Sequence, residues 1–260
     1  MESSNPIFNS KVLSQGYAAD PAGTMTVNGA VNKSFILLAL LLLPAFWAWG
    51  KVAGLYSAAS EEAMMAQAAV IKQLFGWSIA ASIGGLVIAV VLAFKKQWAP
   101  VLAPVYALTQ GFVIGGLSAY YEVQFSGIVM NAAGLTIATL LCLLSVYKMG
   151  WIKVTRGFAL GMMIAVGAIA LIYIVDIIAS LFGHPMPMIH SNGPVAIGFS
   201  LVVVGIAAFS LILDFDFFER GAQAGLPKYM EWYAAFGLMV TLIWLYLEIL
   251  RLLSKLRSRN

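Results

Sequence analysis

Seven stretches of the chain hold apolar residues in long runs without strand-like alternation, and short polar segments separate them. A membrane-crossing helix needs about 20 mostly apolar residues. The first run starts at Ser34 (SFILLALLLLPAFWAWG) and extends to about Tyr56; the second covers Leu74 to Phe94, with Gly84 and Gly85 inside it. The third runs from about Val101 to Tyr120, the fourth from about Gly127 to Tyr147, and the fifth from Gly157 to Phe182. The sixth covers Val195 to Leu213 and the seventh roughly Trp232 to Leu253. In hydrocarbon every backbone group must bond internally, so these runs are predicted to be helices. The connections KKQWAP, YEVQF, YKMGWIKVTR and FGHPMPMIHSNGP leave no room for an extramembrane domain. No internal repeat stands out, which disfavours an inverted-repeat transporter. The predicted fold is an all-α integral membrane protein, a seven-helix transmembrane bundle over residues 34–254. A polar, flexible tail (1–33) precedes it and a basic tail (255–260) follows.

Composition agrees. Of 260 residues, 62% are apolar and 10% are charged, against about 25% charged in soluble domains. Mean hydropathy is +0.91 and the pI about 9.1. The single cysteine, Cys142, lies inside an apolar run and excludes an internal disulfide or a Cys-based metal site. Fifteen scattered Lys and Arg form no basic patch for nucleic acid. The first 33 residues lack the charged-then-apolar plan of a signal peptide.

Orientation follows the basic residues. Lys11, Lys33, Lys95, Lys96, Lys148, Lys153, Arg156, Arg220 and Lys228 fall on one side of a seven-span chain, which is predicted to be cytoplasmic. Lys51 and Lys72 fall on the other, and so would Arg251, Lys255, Arg257 and Arg259. The basic tail conflicts with the rule, so the side of the C-terminus stays open. Gly111–Gly115 and Gly157–Gly161 have the GxxxG spacing that lets helices approach closely, read as internal packing ahead of a dimer interface.

Acids inside a bilayer are functional candidates. Asp176 lies about two turns before the end of span five, and Asp214 and Asp216 close span six in LILDFDFFERG. Glu248 lies in span seven, while Glu122 is placed in an interfacial loop, solvated. Asp214 and Asp216 point about 200° apart on a helix, so they cannot face one cavity. Asp216 has Arg220 four residues on and Glu248 has Arg251 three residues on, spacings that suit structural ion pairs. Asp214, between Leu213 and Phe215, is the better candidate for a buried titrating carboxylate. Thr241 and Glu248 share a face of span seven. The segment HPMPMIH (His184, Met186, Met188, His190) has soft-metal ligands, but its two prolines suit a plain connecting loop, and no metal is predicted.

Several activities lack their residues. Span seven holds no lysine before Lys255, which disfavours a retinal protein. Asp176 follows Val175 and Asp214 follows Leu213, so neither motif of an intramembrane aspartyl protease is present. No Gly-x-Ser-x-Gly stands near a membrane histidine, and serine hydrolysis lacks its nucleophile–base pair. No enzyme and no cofactor is predicted.

The stretch LILDFDFFERG, followed by YMEWYAAFGLMVTLIWLYLEILRLLSKL, resembles the C-terminal half of the Bax inhibitor-1/YccA family. PVYALTQGFVIGGLSAYYE, FSGIVMNAAGLT and SVYKMGWIKVTRGF extend the likeness, and NPIFN with the polar tail looks like the bacterial YccA-type branch. The resemblance implies seven helices with the last one central, in the inner membrane; the Lys/Arg distribution places the N-terminus in the cytoplasm. The resemblance also implies a cation leak, chiefly of Ca²⁺, gated by protonation of two aspartates on helices six and seven. Two such carboxylates share a proton and act as a switch. Asp214 takes the helix-six position, although the usual Asp-Thr-Gln reads Asp214-Phe215-Asp216 here. Counting back from Arg251, the helix-seven aspartate falls on Thr241. Glu248 or Asp176 would have to stand in for it. One carboxylate with a hydroxyl and water suits a weak leak better than tight Ca²⁺ binding, which takes about six to eight oxygens.

Two readings compete with this one. The resemblance also links such proteins to a membrane protease or quality-control complex, and the polar N-terminal tail is long enough to reach such a partner. A proton-coupled small-solute transporter would use the same acids.

Overall fold

The computed structural model describes residues 23–53 and 61–259. Its long helices are α1 (Val27–Ala53), α2 (Glu61–Phe94), α3 (Ala99–Gln124), α4 (Ile128–Lys148), α5 (Arg156–Leu181), α6 (Pro194–Gln223) and α7 (Met230–Arg257). All seven are long and apolar enough to cross a bilayer. A single helical turn, Pro187–His190, sits between α5 and α6. No strand occurs among the described residues. The protein is an all-α membrane bundle.

The helix bounds differ from the sequence expectation where polar residues extend an apolar run. The chain enters α1 at Val27 rather than Ser34. Met25, Ala30, Leu37, Leu41, Ala45 and Ala48 are all buried, so one helical face already points into the bundle before the hydrophobic run begins. Ahead of it, Met25 N–H donates to the Leu226 carbonyl (2.7 Å) and Lys228 N–H to that of Gly23 (2.9 Å). Residues 23–26 are therefore tied to the α6–α7 turn. Residues 1–22, most of the expected flexible tail, lie outside the described residues. The second helix starts at Glu61 instead of Leu74 because EEAMMAQAAVIKQ is built of strong helix formers that hydropathy alone does not register. Residues 54–60 lie outside the description.

The core is organised around α7, the most buried span, while α5 is the least buried. α7 packs against α1, α3, α4 and α6, and Met239, Leu245 and Leu250 on it are fully enclosed. α1 lies closely along α3. A Cβ on Gly111 would collide with the Leu41 carbonyl and Pro44, and one on Gly115 would come within 2.7 Å of the Ala45 carbonyl. That GxxxG is internal packing. At Gly157 and Gly161 a Cβ would meet nothing within 4 Å, so the second pair packs on no described residue.

The last segment crosses the whole bundle. Arg257 donates to the Ser126 carbonyl (2.5 Å) in the α3–α4 turn, and Lys255 donates to the Ala196 carbonyl (3.2 Å) at the start of α6. The chain thus ends on the face opposite the start of α1.

Candidate functional site

Span six continues through its two aspartates to Gln223, so Asp214 and Asp216 are helical and point different ways. Asp216 pairs with Arg220 at 2.6 Å, and Arg220 also donates to the Val154 carbonyl (2.9 Å). Asp214 instead turns toward α7. Gly237 lacks a side chain there, and its Cβ position would lie 3.6 Å from Asp214 Oδ1. Thr241, one turn further along α7, stands beside the carboxylate, but its hydroxyl donates to the Gly237 carbonyl (3.2 Å). Asp214 Oδ2 is buried with no hydrogen-bond partner among the described residues. A buried acceptor left unsatisfied costs about 1–3 kcal/mol, more when charged.

Neither stand-in acid reaches Asp214. Glu248 lies seven residues beyond Thr241, about 10 Å along the helix axis. It is 2% exposed and is held by Tyr173 Oη, which donates at 2.7 Å, and by Arg251 Nη1 at 3.0 Å. Arg251 donates to Tyr173 Oη as well (2.8 Å) and stacks over its ring. Lys255, also buried, donates to Ser200 Oγ (2.9 Å). These contacts clasp α5, α6 and α7 together toward the face where α7 ends.

Asp176 belongs to that same end of the molecule. Its carboxylate accepts from Met186 N–H at 2.9 Å and lies 2.8 Å from His190 Nε2. It fastens the Pro187–His190 turn to α5, and that contact uses one of the two histidines of the HPMPMIH segment, which is the connecting turn the sequence suggested. Among the described residues no three His, Cys, Asp or Glu converge as a metal would need.

Two acids have places that sequence reasoning did not give them. Glu122 lies inside α3 rather than in a loop. Its carboxylate accepts from the N–H groups of Gly127 (2.6 Å) and Val129 (3.1 Å), capping the start of α4. Glu231 is wholly buried. It pairs with Lys33 at 2.5 Å and Lys228 at 2.9 Å and accepts from Thr26 N–H (2.9 Å) and Oγ1 (3.0 Å). This knot joins α1 to α7. Its sequence signal was the Lys228–Glu231 spacing of three residues at a helix start; the Lys33 partner, 198 positions away, left none.

Chemically, the arrangement offers one desolvated carboxylate on a helix seam, beside a bare backbone and a hydroxyl. Such a site can take a proton or meet a passing cation; it has too few oxygens to retain Ca²⁺. No curated protein and no solved structure matches the chain. The family model described as Bax inhibitor 1 like matches residues 5–258, nearly the entire sequence, and on that match the chain belongs to the Bax inhibitor 1 like family.

Proposed function

We propose that the protein is a pH-sensitive cation leak of the inner membrane, with Ca²⁺ as the main permeant ion and Asp214 as the carboxylate that the ion meets. The observation that carries this reading is the buried, partnerless Asp214 Oδ2 on the α6–α7 seam. A membrane protein tolerates such an atom where it has a ligand to meet. A single carboxylate beside Thr241 binds weakly enough for the ion to leave, as conduction requires. The Glu248–Arg251–Tyr173 clasp lies further along α7 and acts as the closure of that end, not as the proton-sharing partner of Asp214. Of the six basic residues on the C-terminal side, Arg251 and Lys255 are taken up inside the bundle, while on the other side Lys33, Lys228 and Arg220 are paired with Glu231 and Asp216. That leaves the excess of free positive charge on the face where α1 begins, which supports a cytoplasmic N-terminus.

Ca²⁺ flux into dye-loaded proteoliposomes tests the reading. Wild-type protein should carry flux above protein-free vesicles, and Asp214→Asn should lower it by about tenfold or more, the effect of losing about 1.4 kcal/mol at the site. Absence of flux in wild-type protein at every pH between about 5 and 8 would overturn it.

A further inference from the structure

On the face where α1 begins, the α4–α5 loop and the last turns of α6 enclose an open cleft of about 400 Å³. Its lining includes Tyr147, Lys148, Lys153, Asp216, Glu219 and Arg220. The charges there do not cancel. Arg220 is committed to Asp216 at 2.6 Å, and Glu219 accepts from Tyr147 Oη at 2.9 Å. Lys148 and Lys153 are exposed and form no ion pair among the described residues. Two free ammonium groups therefore face one carboxylate, which leaves the cleft a net charge of about +1 near neutral pH.

The surroundings decide what kind of anion fits. Between the two lysines, Met149 is 55% exposed and Trp151 75% exposed at the end of a membrane-crossing helix. A tryptophan in that position lies at headgroup depth. Basic pockets between transmembrane helices at that depth suit lipid phosphates. The ligand charge that completes the cleft is one negative unit, the charge of a phosphodiester.

We propose that this cleft binds the phosphodiester headgroup of an anionic phospholipid from the adjoining leaflet, held by Lys148 and Lys153, with Trp151 seated among the neighbouring headgroups. An inorganic phosphate offers the same oxygens from solution but no acyl chains beside Trp151, so the two sources can be told apart. The site is separate from Asp214, and its occupancy does not depend on ion flux.

The test is lipid retention by the full chain in detergent, read by native mass spectrometry. Phosphatidylglycerol and phosphatidylcholine of identical acyl chains would be supplied in competition. Wild-type protein should retain one phosphatidylglycerol in preference to phosphatidylcholine. Lys148→Ala with Lys153→Ala should weaken that preference by about tenfold or more, given the attraction of each basic residue for anionic lipid. Lys148→Arg with Lys153→Arg should keep it. Lys95→Ala, on the same face outside the cleft, should also leave it intact. Equal retention of the two lipids by wild-type protein would overturn the proposal. So would an unchanged preference in the double alanine variant, or an equal loss in Lys95→Ala. Inorganic phosphate that saturates the lysines while phosphatidylglycerol does not would overturn the membrane source.

Discussion

Asp214 carries an unbalanced energetic term, because its Oδ2 is buried and accepts no hydrogen bond. Exchanging it for an apolar group of similar shape removes that penalty. Asp214→Leu should therefore raise stability in detergent by about 1–3 kcal/mol, read as a higher unfolding midpoint, while ion flux falls. An unchanged or lower midpoint would mean that the carboxylate has a partner in the folded protein. Thr241 supplies a second residue-level prediction. With one carboxylate on the seam, any pH dependence of flux should follow a single proton. Thr241→Asp would set a second acid beside Asp214, and the two should then titrate as a coupled pair in two steps. Flux against pH, measured for both proteins, checks it; a two-step profile in the native chain would contradict the single-acid site. At this scale the sequence was partly legible. The divergence of Asp214 and Asp216 followed from helical spacing alone, as did the Asp216–Arg220 pair. The engagement of Asp176 by Met186 N–H did not, since a backbone donor leaves no trace in residue type.

Elements are joined by a few buried polar knots laid over extensive apolar contact. The one with most partners is Glu231, which ties the first turns of α1 to the start of α7 through Lys33, Lys228 and Thr26. Removing one partner of a buried ion pair strands the others and costs about 3–5 kcal/mol. Because both lysines keep some solvent contact, Glu231→Ala should destabilise toward the lower end, about 3 kcal/mol, as denaturant or thermal unfolding in detergent would report. A loss below about 0.5 kcal/mol, the ordinary surface range, would show that apolar packing alone fixes α1. The existence of all seven helices was readable from apolar runs of adequate length. Their ends were not, because hydropathy stops where charge begins while the helix continues: α6 runs ten residues past Leu213, to Gln223. Start signals were equally easy to miss at α1, where Met25 is buried with its thioether against Gly221, far along the chain.

For the whole molecule the consequence is that the two ends of the described chain, residues 23 and 259, lie on opposite faces. Arg257 reaches the α3–α4 turn, and residues 23–26 meet the α6–α7 turn. In sealed vesicles carrying Cys142→Ala, a cysteine at Lys153 and one at Arg259 should react with an impermeant reagent from opposite sides. Labelling of both from one side would mean that α7 does not cross. The family resemblance implies a central last helix, and the packing of α7 against four other helices puts it there. Sequence placed Thr241 where the second aspartate was expected, but it could not show that Glu248 fails to replace it, since the distance between Glu248 and Asp214 is set by how α6 and α7 align. On the proposed function, Asp214 alone serves the ion and Glu248 is confined to the clasp. Ca²⁺ flux through Asp214→Asn and Glu248→Gln, measured side by side in proteoliposomes, separates the two roles. Flux should fall by about tenfold or more in Asp214→Asn and stay at or above the wild-type level in Glu248→Gln. Loss of flux in Glu248→Gln with Asp214→Asn unaffected would contradict that assignment.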